Sequence, residues 1–235
     1  RGLGDVYKRQ LQDMLEAASR ASTCGNMQLY SLIVTQSREL REALAPCHFN
    51  QPMVTQAPCV ITVCADVHRF SMWCEQRDAE PCYDNFAWFL NGVTDALLAA
   101  QNLCVEAEAH GLGICYLGTT IYTAEEIARI LDLPKGVIPV TTIVVGHPDE
   151  SPELTDRLPL DAVVHCEKYH HYTSSEIDEL WAEKETSEET RRLLEENGLP
   201  NLAQIFTRNR YRAEDNLAIS RNYFALLKKQ GFFNN

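Results

Sequence analysis

Three stretches of this 235-residue chain carry residue types that could do chemistry. The first is Ser22-Thr23-Cys24-Gly25-Asn26-Met27-Gln28, which puts hydroxyls, a glycine, carboxamides and free backbone N–H groups into one turn. That set suits a ligand with many hydrogen-bonding edges, such as a flavin ring or a ribityl chain. The same residues also make an ordinary polar turn after a helix, and taken alone they leave both readings open. The second stretch, Gly111 to Gly118 (GLGICYLG), is neither a G-x-G-x-x-G fingerprint nor a Walker loop. Its glycines would let backbone amides approach a flat ligand. They serve equally as a helix stop followed by a strand and a turn. The third stretch is cationic. Arg157 is the lone cation of the loop ESPELTDRLPL, Glu150 to Leu160, while Arg208, Arg210 and Arg212 alternate in FTRNRYRAEDN. A guanidinium can clamp a phosphate with two parallel N–H bonds. The triplet could meet the 2′-phosphate of NADPH, or it could be a solvated basic face.

Thiols and imidazoles offer less. Nine cysteines run from Cys24 to Cys166 with no C-x-x-C pair, so reduced thiols, most of them packed as small hydrophobes, are expected. Cys64 with His68, and His165 and Cys166 with His170 and His171, include zinc-binding types but none at paired-ligand spacing, so no metal site is expected. No thiol has the context of a nucleophile. No side chain is assigned as a catalytic acid or base.

The elements that would position these residues follow from periodicity. Leu11 to Arg20 reads as a helix with Leu11, Met14, Leu15 and Ala18 on one face. Leu29 to Thr35 and Ala57 to Asp66 read as strands, the second apolar on both faces and therefore central. Glu39 to Leu44 reads as a short helix and residues 67–85 as irregular. Phe86 to His110 is a long helix apolar almost all round, which calls for burial on most faces, partly by a second subunit. Gly113 to Thr120 and Val137 to Gly146 read as a third and a fourth strand, and Asp161 to Tyr169 as a short fifth. Thr123 and Glu126 have the spacing of a capping box. Ser174 to Asn197 reads as one charged helix, and the run from Asn216 to Phe233 as amphipathic.

Composition narrows the class. A formal net charge of −12 repels a phosphate backbone, so no nucleic-acid partner is expected. No apolar run approaches the roughly 20 residues that span a bilayer, and no membrane partner is expected. A soluble, cytoplasmic protein is the expectation. Residues 1–10, RGLGDVYKRQ, show no clear periodicity and read as a non-native leader. Residues 11–235 read as a single domain with helices and strands intermixed.

In order and spacing, five blocks resemble the FMN-dependent nitroreductase family, and within it the NADPH-dependent, oxygen-insensitive nitroreductase and flavin reductase branch. They are ASRASTCGNMQLYSLIV, NQPMVTQAPCVITVCADVHR, AAQNLCVEAEAHGLGICYLGTT, LDLPKGVIPVTTIVVGHPDESPELTDRLP and LLKKQGF, and the likeness covers about residues 11–235. The resemblance implies an α+β fold: a mixed, mostly antiparallel central sheet flanked by helices. It implies a homodimer whose C-terminal extension embraces the partner, with FMN sites at the subunit interface. Thr23, Gly25, Asn26 and Gln28 would lie beside the ribityl chain and ring, and Gln51 would hydrogen-bond the flavin. Tyr116, Leu117, Gly118 and Thr119 would run along the isoalloxazine, and Arg157 would contact the FMN phosphate. The branch carries a basic segment near its N-terminus that has no counterpart before residue 11, and Thr155 stands where it often has Lys; weaker FMN binding is expected from both. The activity implied is a ping-pong transfer from NADPH or NADH to a small-molecule acceptor: a nitroaromatic, a quinone or a flavin. Alternatives of other classes are a non-enzymatic flavin-, thiol- or metal-binding regulator, and another flavin chemistry on the same fold, such as reductive dehalogenation.

Overall fold

The computed structural model describes residues 3–234. Within the span expected as a single domain, the chain gathers into two compact units. One extends through Asp149 and resumes at Ile219; the other is Glu150–Ala218.

The first unit is built on a four-stranded sheet in the order β1-β2-β4-β3, with β1 Tyr30–Thr35, β2 Cys59–Asp66, β3 Gly113–Leu117 and β4 Val137–Gly146. Every strand pairing among the described residues is antiparallel. All eight residues of β2 are buried, as its two-sided apolar sequence requires of a central strand. Pro139 falls in β4 where pairing to β3 has ended, and its partner Cys64 follows a register shift in β2. A proline without an N–H is tolerated at such an irregularity. Its carbonyl accepts from the Tyr223 hydroxyl at 3.2 Å.

Helix α1 spans Leu3–Ser19, so it begins eight residues before the expected Leu11. Tyr7 packs on the same core cluster as Leu11 and Met14, continuing their face one turn earlier. Helices α2 Arg38–Leu44 and α3 Pro52–Gln56 precede β2. Helix α4, His68–Glu75, occupies part of the span read as irregular. Helix α5, Phe86–Ala109, runs along the sheet. Its buried stripe is made mostly of small residues at helical spacing: Gly92, Ala96, Ala99, Ala100, Leu103 and Ala107. Small side chains let the helix axis come close to the strands. Leu90, Leu97, Leu98 and Val105, 42–56% exposed, lie on its uncovered side. Helix α6, Ala124–Ile130, has no side-chain cap; Thr123 donates instead to the Cys47 carbonyl at 2.8 Å, and Glu126 pairs with Arg129. The expected capping box is therefore absent there.

In the second unit, residues 161–169 hold a short turn of 3₁₀ helix at Leu160–Ala162 and no strand, which removes the expected fifth strand. The charged helix divides at Ser187 into α7 Ser174–Thr186 and α8 Glu188–Asn197. Ser187 leaves the helical region (φ −63°, ψ 154°) and caps α8 by accepting from the Thr190 N–H. A true capping box sits at Thr173 and Glu176. Helix α9, Leu202–Ile205, passes into a π-helical turn, and α10, Ala213–Lys229, carries the chain back to the first unit. There Leu226, Leu227 and Phe232 join the core around Leu29, Ala65 and Phe89. No helix among the described residues is long and apolar enough to cross a membrane.

Gly92 marks the closest approach of α5 to the sheet. A Cβ there would stand 3.1 Å from the Ala65 Cβ and 3.2 Å from the Leu29 carbonyl oxygen. Neither neighbour can retreat, because Leu29 O accepts the Asp66 N–H and Ala65 is in the central strand. Gly92→Ala should therefore lose about 1–2 kcal/mol by overpacking, against the gain alanine brings to an exposed helix site. Denaturant unfolding will measure it, and a stabilised variant would contradict this packing.

Candidate functional site

Asp95 of α5 is 1% exposed, and its carboxylate points into the turn that follows α1. Oδ2 accepts from the Thr23 hydroxyl at 2.5 Å and the Leu29 N–H at 3.0 Å, and Oδ1 accepts from the Cys24 N–H at 2.8 Å. Thr23 Oγ1 accepts in turn from the Gln28 N–H at 2.8 Å. The three bonds to Asp95 fasten both ends of the segment Thr23–Leu29 to one buried carboxylate, and the fourth closes the segment on itself. Between them Gly25, Asn26 and Gln28 are held left-handed, with φ of 53°, 57° and 51°. That conformation suits glycine, is tolerated by asparagine and strains glutamine. Gln28 is further held by its side-chain amide, which donates to the Asn26 carbonyl at 2.8 Å, and by Arg69, which donates to the Gln28 carbonyl. Thr23 is thus committed inward, while Gly25, Asn26 and Gln28 are exposed at the tip.

A second assembly forms at the end of β3. Leu117 anchors the strand in the core, 2% exposed, and the chain turns at once into a 3₁₀ helix, Gly118–Ile121. The Thr120 hydroxyl secures the turn through the Leu117 carbonyl (2.8 Å) and the Thr142 hydroxyl (2.9 Å). Gly118 is exposed, and the position of its missing Cβ has no neighbour within 4 Å. Thr119 Oγ1 lies 2.8 Å from His48 Nδ1. His48 in turn offers its carbonyl to the Gln51 side-chain amide and the Gln51 N–H, both at 3.1 Å. Phe49 and Asn50 between them are left-handed, each with φ 54°. Gln51 and the Gly118–Thr119 turn therefore belong to one construction. Tyr116 stands at its edge, 36% exposed, its phenol pKa raised by burial and the adjacent Cys104.

No hydrogen bond joins the two assemblies among the described residues. The remaining predicted residues belong to the second unit. Arg157 curls back on its own loop, donating to Thr155 Oγ1 at 2.7 Å and the Asp156 carbonyl at 2.8 Å. Arg210 lies 5.3 Å from the centre of the Phe206 ring. Arg212 is bonded to Asp215 at 2.7 and 3.1 Å, so its charge is already shared. A cleft of about 430 Å³ beyond the second turn is lined by Ile121, Tyr122, Arg129, Tyr223 and Lys229, and by none of the candidate cofactor-binding residues. Both its cations are paired, Arg129 with Glu126 and Lys229 with Glu125.

Two residues were missed in the sequence. Asp95 left a trace, since it is an acid on a helix apolar almost all round. His48 left none; only the fold puts it against Thr119. Five of the nine thiols pack as hydrophobes: Cys47, Cys59, Cys64, Cys74 and Cys104 are buried, and burial pushes Cys59 and Cys104 up to about 11, while Cys82 and Cys166 are exposed.

Comparison with known proteins gives this geometry a family. The model of the nitroreductase family matches residues 5–147. The chain belongs to the nitroreductase family. Among curated relatives of this nitroreductase-family protein, FMN reductase (NADPH) of Bacillus subtilis is 32% identical over 68% of this chain. An NADPH-dependent oxidoreductase of Staphylococcus aureus is 35% identical over 71% of it. Each match spans 66% of the relative's own length. A crystal structure of a candidate oxidoreductase from Bacteroides fragilis is 50% identical, with a TM-score of 0.93, covering 95% of this chain and 91% of that one.

Burial lowers the His48 pKa from 6.5 to about 4, so protonation favours the unfolded chain. The stability tied to neutral His48 is complete above the unfolded pKa and is lost as pH falls through the window from 6.5 to 4. This one group should remove about 2 kcal/mol between roughly pH 7.5 and pH 5. Denaturant unfolding at the two pH values should show that part of the slope missing in His48→Asn; equal slopes would reject it.

Proposed function

We propose that the protein is an FMN-dependent oxidoreductase that draws reducing equivalents from NADPH or NADH and delivers them to a nitroaromatic, a quinone or a flavin. The observation that carries this reading is the turn after β3. Gly118 leaves open space beside an exposed backbone, and that turn is tied through His48 to Gln51. A flat ring can lie against such a surface and meet N–H donors at van der Waals range. Bound FMN would supply the redox chemistry: hydride acceptance from the nicotinamide and two-electron reduction of the acceptor in a ping-pong cycle.

The residues present fit that cofactor. Tyr116, Gly118 and Thr119 form the surface along the ring, Leu117 being buried beneath it as the anchor of the strand, and Gln51 offers a carboxamide to its polar edge. Gly25, Asn26 and Gln28 present backbone and side-chain amides suited to ribityl hydroxyls, on a tip already rigid before ligand arrives. Thr23 serves by holding that tip to Asp95. Arg157 would meet the FMN phosphate by exchanging its local partners, the Thr155 hydroxyl and the Asp156 carbonyl, for a stronger anion. Arg208 and Arg210 carry more of the proposed NADPH contact than Arg212, which Asp215 already holds.

The protein is further proposed to act in the cytoplasm as a homodimer with the sites at the subunit interface. The uncovered Leu90, Leu97, Leu98 and Val105 supply an apolar surface for a second copy. With no hydrogen bond between the two assemblies among the described residues, a site completed by both subunits fits that reading.

The absorbance spectrum tests the proposal. Protein purified with added FMN should be yellow after desalting, and NADPH should bleach it in the absence of air. A protein that stays colourless through FMN titration would overturn the reading.

A further inference from the structure

His48 is fully buried, and its two ring nitrogens have different fates. Nδ1 faces Thr119 Oγ1 at 2.8 Å, while Nε2 is buried with no hydrogen-bond partner among the described residues. A neutral imidazole carries one hydrogen, so there are two arrangements. With the hydrogen on Nε2, an N–H donor would be stranded and the Thr119 hydroxyl would spend its own hydrogen on Nδ1. With the hydrogen on Nδ1, only a lone pair is stranded. Buried donors without acceptors are the rarer and more costly outcome. The second arrangement also has a consequence at the surface. Thr119 is only half-buried, and its hydroxyl has no other hydrogen bond among the described residues. Accepting from His48, it keeps its own hydrogen and can donate outward.

Resting on the flavin reading above, we propose that His48 is a positioning residue: it presents Nδ1–H to Thr119, which fixes the Thr119 hydroxyl as a hydrogen-bond donor to a flavin lying against the Gly118–Thr119 turn. The relay is short and rigid. His48 is held on its backbone side by Gln51, and the turn is held from below by Thr120. The backbone carbonyl of the same residue sets the approach of Gln51, so His48 orients one of the groups proposed to touch the ring by its imidazole and another by its main chain. Because the ring is sealed from solvent, its tautomer is set by the fold and not by the ligand.

Two measurements decide it. Long-range ¹H–¹⁵N correlation spectra of the ligand-free protein read the tautomer directly, with His48→Asn identifying the signal among seven histidines. A hydrogen on Nδ1 is expected; a hydrogen on Nε2 overturns the proposal whether or not flavin binds. FMN titration followed by flavin fluorescence supplies the second. Thr119→Val and His48→Leu should each weaken binding by about tenfold, the scale of one hydrogen bond. The double variant should be no weaker than Thr119→Val alone, since the His48 ring acts on the flavin only through the Thr119 hydroxyl. His48→Asn, whose amide retains an N–H near the Nδ1 position, should stay within about threefold of wild type. Unchanged affinity in His48→Leu, or additive losses, overturns the relay while leaving the flavin reading standing. Should His48→Leu fail to fold, His48→Asn, Thr119→Val and the tautomer still decide. Wild-type protein that binds no FMN removes the flavin reading, and the proposal with it.

Discussion

A carboxylate in an apolar core is stable only when donors surround it. Asp95 has three, all from the segment that follows α1: the Thr23 hydroxyl and the N–H groups of Cys24 and Leu29. The dependence runs both ways. The helix tolerates an acid on its buried stripe because the segment supplies the donors, and the segment holds three left-handed residues because the acid fixes both its ends. Leu29, which closes the ring of bonds, also accepts the Asp66 N–H and stands against Gly92. The anchor is thereby continuous with the central strand.

The second assembly is built by the same device at smaller scale. A buried polar residue, His48, bonds to one chain segment by its ring and to another by its backbone carbonyl, and the groups left outward are those proposed to meet ligand. In both places the fold buries one polar atom so that neighbouring ones are rigid before anything binds. The helices supply the platform: α5 lies close enough for Asp95 to reach the turn because its inner stripe is glycine and alanine.

Much of this was legible in the sequence. The four strands that form the sheet, the centrality of β2 and the long apolar helix follow from periodicity and burial logic. The tip residues Gly25, Asn26 and Gln28 were marked by composition, and the family likeness tied them to the turn at Tyr116 to Thr119. What escaped shares a cause. The capping box expected at Thr123 fails because a tertiary partner, the Cys47 carbonyl, takes the hydroxyl. The strand expected at Asp161 to Tyr169 fails because no neighbouring strand among the described residues pairs with it. Helix α1 began early because Tyr7 finds a core to pack on. His48 could not be found because its partner is 71 positions away. Local chemistry proposes such features, and long-range contacts decide among them.

The central claim is that a single buried carboxylate shapes the segment Thr23–Leu29. Amide hydrogen exchange in wild type and Asp95→Asn addresses it most directly, because an amide side chain can accept on one side only and must turn its own N–H groups toward the other. The account predicts that exchange at Cys24, Leu29 or both accelerates by about tenfold or more relative to Ile61 and Ile143 in the central strands. Unchanged protection at both amides in a folded variant would contradict it.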